Sequence, residues 1–150
     1  MKIKWHRFLT WFALWLGAIM NAITGISMLL LGVGMMGDGG SALLIGFFVS
    51  AIGLIGCGLA IFTIKTAIEL IKWQWWGVAH LHTLYVISLV MNIISMIFSM
   101  ITKSFSISSV ISLIFSIVIL SLTTKYYDKR YQLFDTTKEE RRRLLGKRGK

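Results

Sequence analysis

This chain of 150 residues has no proline, one cysteine and six acidic residues, and each shortage closes off a class of protein. Without proline, no helix is broken by a missing backbone donor. A single cysteine forbids an intrachain disulfide and a cysteine-based metal cluster, so Cys57, inside an apolar stretch, reads as a small packing residue. The acids avoid the middle of every apolar stretch. Asp38 sits in a Gly-rich connection, Glu69 in the next one, and Asp128, Asp135, Glu139 and Glu140 near the C-terminus. No carboxylate therefore falls at mid-bilayer depth, where small proton-coupled transporters place theirs.

Catalytic signatures are missing as well. There is no CxxC and no HExxH, and Gly37-Asp38-Gly39-Gly40 lacks the following Lys-Ser/Thr of a phosphate-cradling loop. That segment reads as a tight turn. His80 and His82 are the one candidate ligand pair. Two residues apart on a helix they point about 200° from each other and cannot chelate one metal. Either could separately meet a haem or a lipid phosphate; the plainer reading is a pair of interface anchors, and His6 beside Arg7 reads the same way. No catalytic, cofactor-binding or metal-ligating residue is expected, and an enzyme is not.

What the chain has in abundance is apolar length. Hydrophobic residues make up 56% of it and the mean hydropathy is +0.75. Four stretches, near 8–34, 43–64, 78–102 and 105–124, each reach the roughly 20 residues that a helix needs to cross a hydrocarbon core. They leave no room for a separate soluble catalytic domain. The pattern predicts an all-α membrane protein with four transmembrane helices in an antiparallel bundle. Residues 1–126 would form the transmembrane domain and 127–150 a basic cytoplasmic tail. Lys2, Lys4 and Arg7 could pass for the start of a secretory signal, but the apolar run after them exceeds a signal core of roughly 7–15 residues. The first stretch is read as an uncleaved span.

The net charge of +10 is placed unevenly. All but Lys103 of the sixteen Lys and Arg fall on one side of the four stretches, which by the positive-inside rule puts both termini in the cytoplasm. The cell membrane is the expected location. Lys2, Lys4, Arg7, Lys72, Lys129, Arg130, Arg141, Arg142 and Arg143 are the expected contacts to anionic lipids of the inner leaflet, each worth about 1 kcal/mol. Residues 125–131 carry the fourth span out as an amphipathic helix end. Beyond them Glu139 and Arg143 stand at i,i+4 in a basic cluster. That cluster lacks an aromatic stacking platform, so no nucleic acid is expected as a partner.

Aromatic residues repeat the asymmetry. Trp5, Trp11, Trp15, Trp73, Trp75 and Trp76, with Tyr126, Tyr127 and Tyr131, gather at the same boundary as the basic residues, as an interfacial belt does. Trp73-Gln74-Trp75-Trp76 suggests a tight hairpin there; an aromatic box for a ligand is the alternative.

Each span also carries a stripe of small or weakly polar residues. Gly17, Asn21, Thr24, Gly25, Met28 and Gly32 share a face of the first, and Gly46, Ser50, Gly53, Cys57 and Ala60 one of the second. Ser88, Asn92, Ser95 and Ser99 do so in the third, and Ser108, Ser112 and Ser116 in the fourth. Between helices in lipid, close backbone approach and hydrogen bonds drive packing. The stripes therefore face inward in one bundle or form a seam between two copies; sequence leaves both open. Asn21 and Asn92, with Ser88 and Ser95, are the candidate intramembrane polar contacts, since an unsatisfied amide in hydrocarbon costs several kcal/mol. Met20-Asn21-Ala22-Ile23-Thr24 and Met91-Asn92-Ile93-Ile94-Ser95 further hint at a duplicated hairpin.

Trp5-His6-Arg7-Phe8-Leu9 with Phe12, Leu14, Gly17-Ala18, Asn21 and Gly25-Ile26 resembles the first helix of small uncharacterised multipass proteins of Gram-positive bacteria. Residues 127–130 and Leu133-Phe134 look like the ending of the same group. Some members carry a zinc ribbon before the first helix, which this chain lacks. The resemblance covers the first span and the last exit, and implies topology and source but no activity. The leading expectation is a non-enzymatic inner-membrane protein that packs with itself or with another membrane protein. The rival is a small transporter or channel with a polar pathway near Asn21 and Asn92.

Overall fold

The computed structural model describes residues 3–37, 39–101 and 107–146, with the side chains at 95, 98, 99, 101 and 109 set aside. Lys2, Asp38 and Lys103 lie outside the described residues, as do the side chains of Ser95 and Ser99. Every described element is helical: α1 (Lys4–Phe8), a π-helical turn (Leu9–Ala13), α2 (Leu14–Met36), α3 (Ser41–Ile71), α4 (Trp75–Ile101), α5 (Ile107–Asp128), a 3-10 turn (Tyr131–Leu133) and α6 (Lys138–Gly146). Among the described residues four helices are long and apolar enough to cross a membrane: Lys4–Met36, Ser41–Ile71, Trp75–Ile94 and Val110–Asp128. Their outer faces carry large apolar side chains. Leu30 and Ile61 are each 71% exposed, and Phe47, Phe48, Leu54 and Phe115 are similarly bare. Soluble proteins rarely expose apolar patches so large.

The helices overrun the apolar stretches that announce them. The second stretch ends near residue 64, yet α3 continues to Ile71, past Lys65 and Glu69. Those two stand one turn apart, Nζ to Oε1 3.9 Å, a pairing that supports a helix after its apolar run is over. At 1.5 Å per residue the 31 residues of α3 measure about 46 Å, well beyond a hydrocarbon core of about 30 Å. The N-terminal helix runs through its π turn without a break. The N–H of Leu14 reaches Leu9 O, and the flanking residues Phe8 and Ala13 keep right-handed helical torsions. Thr10 sits inside that turn and donates its hydroxyl to His6 O at 2.8 Å, a side-chain bond that competes with the regular backbone ladder.

Two compact units divide the chain, Lys2–Ile71 and Lys72–Lys150. In the first, α2 and α3 meet backbone to backbone. A Cβ at Gly25 would stand 2.7 Å from Cys57 N and 2.9 Å from Gly53 O; at Gly53, one would stand 2.7 Å from Leu29 N. Nearer Met36, Gly32 faces Ser50 and lies with its Cβ direction 2.6 Å from Gly46 O. Residue numbers fall along α2 as they rise along α3, so these two helices run in opposite senses. Gly25 and Gly32 are buried, as are Gly46, Gly53, Ala60 and Ala67. Ala18 extends the α2 series. A step of seven residues keeps small groups on one seam of a supercoiled pair. Buried Thr63 and Thr66 satisfy their hydroxyls on Leu59 O and Phe62 O of their own helix.

In the second unit, α4 and α5 are joined by side-chain hydrogen bonds instead. Asn92 Nδ2 donates to Ser116 Oγ at 2.9 Å, and Ser112 Oγ donates to Asn92 Oδ1 at 3.1 Å. Eight residues further down α5, Thr124 Oγ1 and His82 Nε2 are 3.2 Å apart. Here too the numbering runs in opposite senses on the two helices.

Candidate functional site

The densest set of side-chain contacts in the second unit lies where α4 begins and α5 ends. It starts with two residues in the left-handed region, Trp73 (φ 59°) and Asp135 (φ 55°). Side chains with a Cβ seldom adopt that conformation, and surrounding contacts must hold them there. The contacts are visible. Asp135 N donates to Trp73 O at 3.0 Å, and Trp75 N donates to Asp135 Oδ1 at 3.3 Å. Asp135 thus satisfies an otherwise orphaned donor in the first turn of α4 across 60 positions of sequence.

Around this double link the rings close. Phe134 is 5% exposed, its centroid 5.5 Å from Trp73, 5.9 Å from Trp75 and 5.6 Å from Tyr127. Arg141 returns from α6 to fasten the segment. Its Nε donates to Leu133 O at 3.0 Å, its Nη2 donates to Thr136 O at 2.8 Å, and its guanidinium lies 4.8 Å from the centre of the Trp73 ring. Partial burial pushes the Arg141 guanidinium below its ordinary pKa. Helix α6 is started by a capping box, with Thr137 N donating to Glu140 Oε2 and Glu140 N donating to Thr137 Oγ1.

Beside this collar is an open cleft of about 520 Å³ lined by Trp75, Asp128, Tyr131, Phe134 and Asp135. Its chemistry is aromatic rings and carboxylates. Among the described residues no group of three or more His, Cys, Asp and Glu could hold a metal ion.

The residues singled out from sequence fall into distinct environments. Asn92 uses both ends of its amide on Ser112 and Ser116 of α5. Asn21 is half-buried on α2 and its side chain enters no hydrogen bond among the described residues, while Ser88 is exposed on α4. Of the basic residues, Lys4, Arg7, Lys72, Lys129, Arg142 and Arg143 are exposed. Arg130 and Arg141 are instead held by the protein itself: Arg130 Nη1 donates to Tyr126 O at 3.0 Å, and its guanidinium lies 3.8 Å over the Tyr126 ring. In the first unit, Gly25, Gly32, Gly46, Gly53 and Cys57 are in the α2–α3 contact, whereas a Cβ at Gly17 would meet nothing within 4 Å. Thr24 and Met28 are exposed.

Sequence reasoning gave Phe134 only a place in the resemblance and Asp135 no role, and gave Arg141 only a lipid-facing role. The one signal for them is that an aromatic and a small acid interrupt the basic run after α5. No family model, curated protein or solved structure matches the chain.

Proposed function

We propose that this chain is a non-enzymatic four-span protein of the bacterial inner membrane, an antiparallel four-helix bundle with both termini in the cytoplasm, which acts by packing with itself or with another membrane protein. The observation that carries the reading is how the small and polar groups of its spans are used. Glycines lie at backbone-to-backbone contacts, Asn92 is satisfied by two serines, and buried Thr63 and Thr66 bond their own helix. Groups with these roles hold helices together in lipid.

Reconstitution tests this. Purified protein in sealed vesicles should pass no ion or small solute across a broad panel. A saturable flux abolished by Asn92→Leu would overturn the proposal. Orientation is checked separately by reporter fusions, which should read external at residues 38 and 103 and internal at 70 and 150. A cytoplasmic signal at 38 would refute the topology.

A further inference from the structure

We propose that the cleft between the start of α4 and the end of α5 binds a substituted ammonium group. Its volume, about 520 Å³, lies within the usual size of small-ligand sites. Trp75, Tyr131 and Phe134 supply ring surface, and Asp128 and Asp135 supply negative charge. Rings with carboxylates are the combination that recognises organic cations, through the ring quadrupole and direct Coulomb attraction.

The state of the two carboxylates is the decisive observation. This chain carries sixteen basic residues against six acids, so an acid without a basic partner is unexpected. Yet Asp128 enters no hydrogen bond or ion pair among the described residues, and Asp135 is engaged only through Oδ1 and its backbone N–H. Two neighbouring guanidinium groups are held elsewhere, and the exposed Lys72, Lys125 and Lys129 form no ion pair with either carboxylate among the described residues. Arg130 is held on Tyr126, and Arg141 on Leu133, Thr136 and Trp73. An anion is excluded by the same two carboxylates. A bare metal ion finds too few ligands, because three walls of the cleft are rings.

Position narrows the source of the cation. Trp75 opens α4 and Asp128 closes α5, so if these helices span the bilayer the cleft lies at headgroup depth. The ammonium then belongs either to a zwitterionic lipid headgroup or to a free amine. The shared chemistry is a primary or methylated ammonium on a short carbon chain. Only the choice of lipid as source rests on the membrane reading; binding of a free amine does not.

The experiment has two arms. Protein in nanodiscs of phosphatidylglycerol alone is titrated calorimetrically with ethanolamine and with tetramethylammonium, and with 1-propanol as a neutral control. Protein in detergent is titrated with phosphatidylethanolamine against phosphatidylglycerol, and bound lipid is counted by native mass spectrometry. Saturable binding of the amines identifies a soluble ligand; selective retention of phosphatidylethanolamine without free-amine binding identifies the headgroup. In either arm Asp128→Asn with Asp135→Asn should weaken binding about tenfold or more, since Asn at 135 keeps an oxygen for Trp75 N. Tyr131, which is 59% exposed, gives a second variant that leaves the collar intact. Tyr131→Leu should weaken binding about threefold, as loss of an exposed cation–π contact does. Saturable binding in neither arm would overturn the proposal. So would equal binding of 1-propanol, or undiminished binding by both variants.

Discussion

A tight structural constraint among the described residues is the approach of α2 to α3 at Gly25, and Gly25→Ala tests it. The added methyl would meet Cys57 N at 2.7 Å, Cys57 Sγ at 2.8 Å and Gly53 O at 2.9 Å. Two of the three are backbone atoms, so no rotamer change can clear them and the helices must separate. Overpacking of a closed contact costs about 1–3 kcal/mol. Against this, alanine is a better helix residue than glycine by up to about 1 kcal/mol, a gain that any interior glycine of the same helix would share. Gly17→Ala is therefore the control, since a Cβ there meets nothing within 4 Å. The propensity gain cancels between the two variants, and Gly25→Ala should be less stable than Gly17→Ala by about 1–3 kcal/mol. Unfolding in mixed micelles, driven by rising SDS and followed by far-UV circular dichroism, measures the difference. Combining Gly25→Ala with Cys57→Ala should restore only part of it, because the backbone clashes remain. Equal stability of Gly25→Ala and Gly17→Ala would refute the reasoning and remove the α2–α3 glycine contact as a source of stability.

Three further outcomes follow from the second unit. A double-mutant cycle on Asn92→Leu and Ser116→Ala, read by the same unfolding assay, should give a coupling of about 0.6 kcal/mol, the average for intramembrane hydrogen bonds; a coupling of zero would mean the 2.9 Å contact does not persist. Arg141→Ala should release the segment between α5 and α6, raising trypsin cleavage at Lys138 and Arg142, and Arg141→Lys should not restore protection because an ammonium cannot reproduce the planar fork over Trp73; Arg143→Ala is the exposed control and should leave cleavage at Lys138 unchanged. Thr137→Ala removes the capping box of α6 at a cost of about 0.5–2 kcal/mol, detectable as faster amide exchange across residues 138–146 with α4 and α5 unaffected.

Much of this was legible in the sequence, and the rest was hidden for identifiable reasons. Apolar length and the lack of proline announce four helices long and apolar enough to cross a membrane, since hydrocarbon leaves a backbone little alternative to a helix. The ends were less legible. Lys65 and Glu69 look like the exit of a span, but as an i,i+4 pair they also prolong the helix that carries them. On the first span, choosing small and weakly polar residues by helical facing gathered Gly17, Thr24 and Met28 along with Gly25 and Gly32. The contact itself follows a seven-residue step through Ala18, Gly25 and Gly32, and only the smallest residues on that step allow backbones to touch. The collar was hidden altogether. It joins Trp73 to Asp135 through two left-handed residues that are not glycine, and no local pattern signals a bond between positions so far apart.

These contacts also bear on where a partner could bind. The glycine series of α2 and α3 face each other within one chain, so they are not free to form a seam between two copies. Besides exposed small polar residues such as Thr24 and Ser88, what remains outward on these helices is large and apolar: Phe47, Leu54 and Ile61 on α3, and Ile111, Ile114, Phe115 and Val118 on α5. In lipid such surface gives no hydrophobic drive for association, since the acyl chains it would displace are equally apolar. Recognition then falls to groups whose free energy changes when a partner arrives. At the collar end of α4 and α5 these are the cleft carboxylates, which have no ion-pair partner among the described residues, and the exposed Lys72, Lys129, Arg142 and Arg143. A partner protein that binds there should carry both signs of charge, and its association should weaken with salt. A salt-independent association would return the search to the apolar faces of the spans.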